Sequence, residues 1–284
     1  MDVESQYASV NGLNMHYVTA GEGPPVILLH GFPDTHAIWR RQIPALAAAG
    51  FRVIAPDLRG YGKTDMPDSV SAYAIDFLAD DVLRLMDALG IDATVVIGHD
   101  WGALIGWQLA MHAPERVSGF AALSVGHPKA IAKAGFAQRL RFWYIALFMT
   151  PGLAERVIKA GNWASLKRLS RSREQQEIWR SALAPRGRLT AALNYYRANF
   201  KASAPRRWTP VNVPVLGVWS EHDPALGEKQ MRNSAEHCRA GFRFQRLDGV
   251  GHWMQLSGAE RLNALLVDFA KTPVDVFPVQ AATI

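Results

Sequence analysis

An aspartate stands at the end of a buried apolar run in residues 95–103, which read VVIGHDWGA. Asp100 follows β-branched residues and precedes a helical pattern, and Gly98, Gly102 and Ala103 surround it with little side-chain bulk. A strand, a sharp turn and a helix form a nucleophile elbow, in which larger neighbours would collide with the backbone. The N–H groups of the following helix would also stabilise a carboxylate. Asp100 is therefore a candidate nucleophile, although an ordinary N-cap aspartate has the same local pattern.

A second segment could supply the hydrogen-bond donors that such a nucleophile needs. Residues 28–34 read LLHGFPD and follow an earlier apolar run, and their His-Gly-Phe-Pro sequence predicts a tight turn. This turn can direct the backbone N–H of Phe32 into a pocket. With the N–H of Trp101 it would form a two-donor oxyanion hole, so both residues are candidates to bind substrate.

A histidine and an acid complete a nucleophile–acid–histidine order along the chain. His252 follows the last predicted strand within DGVGHWMQL, and Asp223 follows the preceding strand within LGVWSEHDPA. An imidazole that a carboxylate orients can act as a general base. Glu221 is the alternative acid, but it lies closer to the strand, so Asp223 is preferred. A lone histidine is more often structural, and only its place in this order makes His252 a candidate.

The segments that must position these residues alternate between strand and helix patterns. A hairpin is predicted at the start of the chain, because Asn11-Gly12 suits the positive φ values of a tight turn. Short apolar runs then predict strands that are buried on both faces. These runs are residues 26–31, 51–57, 93–100, 116–124, 213–220 and 242–248. The alternation predicts an α/β fold, a mostly parallel sheet with helices on both faces.

Helical periodicity is clearest in residues 71–90, and two further helices are predicted over residues 102–117 and 259–270. The second helix begins just after Asp100 and is broken at Pro114. Gly90 is expected to cap the first helix at its carboxyl end. The apolar face of that first helix is predicted to consist of Phe77, Leu78, Val82, Leu85 and Leu89.

The alternation stops between residues 129 and 208, where arginine, alanine and aromatic residues recur at helical spacing. We interpret residues 129–208 as a helical lid inserted into a core of residues 1–128 and 209–284, the latter with a C-terminal tail. Residues 129–207 carry 17 Lys/Arg and 3 Asp/Glu, a net charge of +14, against −8 for the remainder. This asymmetry is compatible with an anionic surface or with a homodimer of oppositely charged faces, although we expect a solvated basic helical surface.

Composition restricts the class of protein further. The 284 residues are 49% hydrophobic and 20% charged, which is typical of a globular protein with a sizeable core. We identify neither a signal peptide nor an apolar run long enough to span a membrane. The single cysteine excludes an internal disulfide and fits a reducing compartment, so a cytoplasmic location is expected. A nucleic-acid partner is not expected, because the basic stretch lacks an interleaved aromatic motif.

Three segments resemble the α/β-hydrolase fold, and within it the epoxide hydrolases that use an aspartate nucleophile. They are HGFPDTHAIWRRQIPALAAAGFRVIAPDLRGYGKTDMP, IGHDWGA and GHWMQL. The resemblance covers the chain except for the tail after about residue 271. Haloalkane dehalogenases share the elbow and the His-Gly-Phe-Pro turn, so the resemblance of these segments is more specific for the fold than for the reaction.

The resemblance implies two lid tyrosines that hydrogen-bond the epoxide oxygen. Tyr144, seven residues before a proline, matches the first of them, and Tyr196, immediately before an arginine, matches the second. A shift of one residue in the alignment would select Tyr195 instead of Tyr196. Trp143 is a further candidate for substrate binding. Phe136, Phe148, Trp163 and Trp179 also make the predicted pocket aromatic.

The implied reaction converts a hydrophobic epoxide to a vicinal diol. Asp100 attacks a ring carbon to form an alkyl-enzyme ester, while the phenols stabilise the alkoxide that leaves. His252, oriented by Asp223, then removes a proton from the water that attacks the ester. The chemistry needs only the epoxide and water as reactants. Neither a metal nor an organic cofactor is expected.

Three other functions remain open from the sequence alone. A haloalkane dehalogenase would use the same Asp100, Asp223 and His252, but its usual asparagine after His-Gly is Phe32 here. A fluoroacetate-type dehalogenase would carry an arginine at the position of Trp101. A catalytically silent fold that binds a ligand or a partner would be expected to lack part of this constellation. Serine-dependent esterase chemistry is disfavoured, because residue 100 is not serine.

Overall fold

The computed structural model describes residues 2–170, 172–200 and 208–272. Within them, eight strands form one sheet in the order β1-β2-β4-β3-β5-β6-β7-β8, with β2 antiparallel to both of its neighbours and the remaining pairs parallel. The predicted sheet is confirmed. The strands β1 to β8 are Glu4–Val10, Leu13–Ala20, Pro25–Leu29, Arg52–Pro56, Thr94–His99, Val117–Leu123, Val215–His222 and Phe242–Gly251.

Helices cover both faces of the sheet. On one face α1 and α12 bury Leu46 and Leu266 against the strands, and on the other α2 and α3 bury Leu85 and Trp107. This double cover is why the central strands are apolar on both sides. The helices α1 to α12 are Gln42–Ala48, Ile75–Ala88, Trp101–His112, Pro128–Ala132, Phe136–Arg141, Trp143–Phe148, Leu153–Leu169, Arg173–Leu183, Arg188–Asn199, Glu228–Arg232, Met254–Ser257 and Ala259–Lys271. None of these described helices is long and apolar enough to cross a lipid bilayer.

The sequence wrongly predicts that Phe77 lies on the buried apolar face of α2. Phe77 is 53% exposed, and the guanidinium of Arg59 lies 5.9 Å from its ring centre. The buried stripe of the helix runs through Ile75, Leu78 and Val82. Since successive residues are about 100° apart around a helix axis, Phe77 points away from that stripe. Gly90 follows the helix with a φ of +66°, as the predicted cap requires.

The described chain between β6 and β7 is helical, from α4 at its start to α9 at residue 199. Residues 201–207 of the predicted lid and the predicted tail beyond residue 272 lie outside the described residues. One irregularity was not predicted: α7 is interrupted at Ala160–Trp163, where Gly161, Asn162 and Trp163 adopt φ values of 57°, 52° and 62°. The grouping of residues 129–208 into one lid stays a prediction.

The carboxyl ends of β3, β5, β6, β7 and β8 meet at one edge of the sheet, because these strands are parallel. The strand β5, which ends next to Asp100, lies at the centre between β3 and β6. Ligands of open α/β sheets bind at this carboxyl edge. The predicted site residues of the core therefore converge there from segments distant in sequence.

Candidate active site

Asp100 lies in a sharp turn between β5 and α3, with φ 53° and ψ −118°. Positive φ is uncommon for a residue with a side chain, and such strain is concentrated at functional sites. Two glycines make the turn possible. A Cβ atom at Gly98 would overlap the backbone of Gly102, and one at Gly102 would overlap the backbone of Leu29. The sequence pattern of the elbow thus reflects a real steric requirement at these two positions.

The Asp100 carboxylate is held by the two backbone amides that the sequence analysis selected. The N–H of Phe32 donates to Asp100 Oδ1 at 2.8 Å, and the N–H of Trp101 also donates to the carboxylate. The Phe32 amide is presented by a turn in which Asp34 N–H donates to the Gly31 carbonyl at 2.9 Å, and the Phe32–Pro33 peptide bond is cis. Burial raises the pKa of Asp100, and the positive charge of His252 and the two amides only partly offset this effect.

His252 and Asp223 form a hydrogen-bonded pair beside the nucleophile. The His252 Nδ1 atom lies 2.8 Å from Asp223 Oδ2, and both side chains are buried. The other carboxylate oxygen of Asp223 accepts the N–H groups of Ala225 and Leu226 at 2.8 and 2.9 Å. Glu221, the alternative acid, instead forms an ion pair with Arg246 at 2.8 Å on the surface. Of the two candidate acids, the structure places Asp223 against the histidine.

Electrostatics separate the protonation states of this pair. Burial lowers the pKa of His252. The charge and hydrogen bond of Asp223, together with the charges of Asp100 and Asp34, outweigh burial and raise this pKa to about 9. Burial raises the pKa of Asp223, but His252 and the donors around the carboxylate outweigh it, so that this pKa falls below its ordinary value. At neutral pH the resting pair is therefore an imidazolium next to a carboxylate.

Two residues that the sequence analysis missed support this pair. Ser124, at the end of β6, donates its hydroxyl to Asp223 Oδ2 at 2.9 Å and has a φ of +69°. The Nε2 atom of His99 lies 3.0 Å from the carbonyl oxygen of His252, and the centres of the two imidazole rings are 4.6 Å apart. Burial keeps the pKa of His99 well below its ordinary value, so a neutral ring donates to that carbonyl. Polar residues at the ends of predicted strands were the signal that could have identified both.

Asp34 is a third buried carboxyl near the site. It accepts hydrogen bonds from the indole N–H groups of Trp179, in α8, and Trp253, next to the histidine, at 2.6 and 3.0 Å. Burial raises the pKa of Asp34 to about 7, although the two indoles lower it. The segment LLHGFPD ends in this aspartate, so a charged residue inside a predicted buried turn was its signal in the sequence.

Both predicted tyrosines lie above Asp100. Their ring centres are 6.3 Å apart, and each packs against Phe148. Burial raises the pKa of Tyr144 and of Tyr196, and the negative charge of Asp100 raises both further. Tyr195, the residue that a one-position shift would select, points into the core and donates its hydroxyl to the Arg59 carbonyl at 2.7 Å.

Two apolar cavities meet at Asp100, Tyr144 and Tyr196, which line both of them. The first has a volume of about 420 Å³ and the second of about 340 Å³. Trp143 belongs to the wall of the first, but at 73% exposure it stands at the rim. Among the other lid aromatics, Phe148 lines the first cavity and Phe136 is exposed. Trp163 and Trp179 are buried and line neither of these two cavities.

One group of potential metal ligands is found among the described residues, and it lies in another part of the core. The Nδ1 atoms of His16 and His36 each lie 2.8 Å from an oxygen of Asp57. The same carboxylate also accepts the backbone N–H groups of His36 and Lys63, both at 3.0 Å. Four donors thus satisfy Asp57, so the cluster fits a structural role in fixing the loop after β4.

Comparisons with known proteins agree with this geometry. The alpha/beta hydrolase fold family matches residues 24–259. Epoxide hydrolase A of Mycobacterium tuberculosis is 33% identical over 91% of this chain and 94% of its own length. An AB hydrolase superfamily protein of Bacillus subtilis is 33% identical over 95% of this chain and 98% of its own. The crystal structure of an epoxide hydrolase from Vigna radiata superposes with a TM-score of 0.83 at 31% identity, covering 95% of this chain and 98% of the other.

Proposed function

The chain belongs to the alpha/beta hydrolase fold family and, within it, to the epoxide hydrolases, and from this premise we propose that it opens an apolar epoxide through an ester on Asp100. One observation carries the mechanism. A buried carboxylate lies between two backbone donors and two phenols, at the meeting point of two apolar cavities. Because the cavities extend to both sides of Asp100, each ring carbon of the epoxide has room for a substituent.

The first step joins the substrate to the enzyme. A carboxylate oxygen of Asp100 attacks a ring carbon, the C–O bond of the ring breaks, and its electron pair stays on the departing oxygen. Tyr144 and Tyr196 donate hydrogen bonds to that oxygen, and one of them supplies its proton. The phenolate regains a proton when the His252 imidazolium loses its own. Their raised pKa values keep both phenols protonated and able to donate in the resting enzyme. The product of this step is a hydroxyalkyl ester of Asp100.

The second step releases the diol. His252 takes a proton from water, and the resulting hydroxide attacks the carbonyl carbon of the ester. The amides of Phe32 and Trp101, which bind the carboxylate at rest, would then stabilise the oxyanion. Collapse of this intermediate breaks the acyl C–O bond, and His252 returns its proton to the departing diol oxygen. The proton of the newly formed Asp100 carboxyl group then restores the imidazolium. One oxygen of Asp100 leaves in the diol, and the water oxygen replaces it.

The charge change on Asp100 couples the two steps. The negative charge of Asp100 is one of the groups that raise the pKa of His252 to about 9. Ester formation removes that charge, so the pKa of His252 falls when the imidazole is required as a base. An enzyme whose base titrates near the working pH is the more effective catalyst.

The remaining finer assignments are also proposals. We assign residues 129–208 to a lid because α6, α7 and α9 supply the phenols and much of the cavity wall. A cytoplasmic enzyme is still supported by the single cysteine. Dehalogenase chemistry is less well supported, because two phenols line both cavities at Asp100 and a departing halide needs no proton.

Single turnover in H₂¹⁸O tests the reaction. We expect styrene oxide to give the diol and the Asp100 peptide to become heavier by one ¹⁸O. The variant His252→Gln should form the ester without hydrolysing it, so its intact mass should increase by the mass of the epoxide. Bromide release from 1-bromobutane without epoxide turnover would instead identify a dehalogenase. Diol formation with no label in Asp100 would refute the ester mechanism.

A further inference from the structure

The rim of the first cavity is unusually apolar for a protein surface. Phe136, Leu140 and Trp143 are 73%, 58% and 73% exposed, and Val157 and Leu169 are 43% and 40% exposed. The last three of these line the first cavity. Together with Arg139 and Arg141, these five side chains define the rim surface. Single exposed apolar residues are ordinary, but five of them on the consecutive helices α5, α6 and α7, bordered by charges, mark an interaction site.

The outward direction of these side chains follows from how α5 is fixed. Gln138 is the buried residue of this helix, and its amide donates to the Ala225 carbonyl at 2.8 Å and accepts the Gly227 N–H at 2.9 Å. The polar side of α5 therefore faces the protein. Phe136 and Leu140 are four positions apart and share the opposite side, facing solvent. This is the reverse of a helix that packs on its own core.

The charged residues of the segment that carries the rim surface are almost all positive. Residues 129–170 contain eight Lys/Arg and one Asp/Glu. That single acid, Glu155, is already paired with Arg197 at 2.9 Å. Within the part of the chain that the structure describes, neither Arg139 nor Lys133 forms an ion pair, and the exposed Arg141 donates only to the Asp223 and Pro224 carbonyls. These three cations thus have no carboxylate partner among the described residues.

We propose that the rim surface docks on an anionic lipid bilayer. Aromatic and aliphatic side chains surrounded by Lys and Arg suit the boundary between headgroups and acyl chains. A second copy of this chain would bring two positive surfaces together, which charge repulsion opposes. Because these apolar side chains continue into the first cavity, an epoxide dissolved in the bilayer could reach Asp100 without crossing water. This last point rests on the proposed function, whereas docking itself does not.

Vesicle sedimentation tests the docking. Sucrose-loaded vesicles of phosphatidylcholine with phosphatidylglycerol should sediment the protein, whereas phosphatidylcholine alone should bind it weakly, and added salt should reduce the binding. The double variant Phe136→Ser/Leu140→Ser should lower the partition coefficient by roughly tenfold or more. Loss of one charge in Arg139→Gln should lower it about fivefold. The matched control is Phe77→Ser, since Phe77 is 53% exposed on α2, outside the rim surface.

Activity is measured separately on a water-soluble epoxide. Neither Phe136 nor Leu140 lines the two cavities, so the double variant should turn over this epoxide at the rate of the unchanged protein. Failure of the protein to sediment with phosphatidylglycerol vesicles would overturn the proposal. Equal binding by the double variant would also overturn it. A dimer in analytical ultracentrifugation that Leu140→Ser dissociates would show that a second copy covers the surface instead.

Discussion

Two adjacent tyrosines of α9 should respond to the same small change in opposite ways. Tyr196→Phe removes a phenol above Asp100, whereas Tyr195→Phe removes one that bonds the Arg59 carbonyl inside the core. Each variant loses a single hydroxyl and keeps its ring. We expect Tyr196→Phe to slow ester formation and to leave stability nearly unchanged. Tyr195→Phe should do the reverse.

The sizes follow from the two environments. A donor to an oxygen that develops negative charge in a buried site contributes about 10²–10³ in rate. Because Tyr144 remains as a second donor in Tyr196→Phe, we expect the lower end, about 10²-fold slower ester formation. In Tyr195→Phe a buried carbonyl loses its partner, which costs about 1–3 kcal/mol of unfolding free energy. For a protein of this size, that lowers Tm by roughly 2–5 °C.

Rapid-quench mass spectrometry of the Asp100 peptide measures ester formation, and differential scanning calorimetry measures Tm. Tyr144→Phe is the matched control, because Tyr144 is the other phenol that lines both cavities. It should resemble Tyr196→Phe and not Tyr195→Phe. If Tyr195→Phe slowed ester formation as much as Tyr196→Phe, the assignment of the two phenols would be wrong. Slow ester hydrolysis with normal ester formation would contradict the role of Tyr196 as a proton donor to the epoxide oxygen.

Three further predictions concern the groups beneath the phenols. Ser124→Ala removes a donor from Asp223, so ester hydrolysis should slow by about tenfold while ester formation persists. The ester should then accumulate transiently. If no ester accumulated, a positioning role for Ser124 would be excluded. The pKa of Asp34 is raised from 3.8 to about 7. Between these pH values the folded chain holds a proton that the unfolded chain has lost. The stability that this proton contributes disappears as the pH rises through 7. Asp34→Asn should therefore flatten the fall in urea-unfolding free energy between pH 4 and 7, and parallel curves would contradict the assignment. The pKa of His252 is raised from 6.5 to about 9, so the free energy of unfolding should fall between these two pH values. His252→Gln should remove this fall, and unfolding measured from below pH 6.5 to above pH 9 would locate its limits.

The sheet could be predicted because its signals are local. Buried parallel strands are apolar throughout, and the glycines next to Asp100 are required by backbone contacts that any elbow makes. The chain order of Asp100, Asp223 and His252 then followed from strand ends, and the structure brings these three together. Phe77 was misplaced because one residue on a helix border satisfies the periodicity and still points to solvent.

Strand ends could have singled out Ser124 and His99 as polar residues, but the contacts of the supporting residues could not be predicted, because their partners are distant in sequence. Ser124 lies 99 positions from the carboxylate it contacts, and His99 lies 153 positions from the carbonyl it contacts. Gln138 contacts a loop 87 residues away. No periodicity or motif encodes such a pairing, and each of these residue types is common on exposed helices and loops. These residues come into contact only because the order of strands in the sheet brings distant segments of the chain together.

The two phenols are attached to the core by separate anchors. The helix of Tyr196 is bound to the loop before α2, since Asn199 donates to the Tyr73 carbonyl at 2.8 Å and accepts the Ile75 N–H at 2.9 Å. The helix before Tyr144 is bound through Gln138 to the loop that follows Asp223. The two phenols that we propose to bind the epoxide oxygen are thus held in place by independent contacts with the core. A remote substitution such as Gln138→Ala would displace Tyr144 and leave Tyr196 in place. The distance from Asp100 to one phenol would then change without a change in the distance to the other. Since misplacement by about 1 Å can cost about 10² in rate, the rate of the proposed reaction would depend on an anchor such as Gln138, which lines neither cavity.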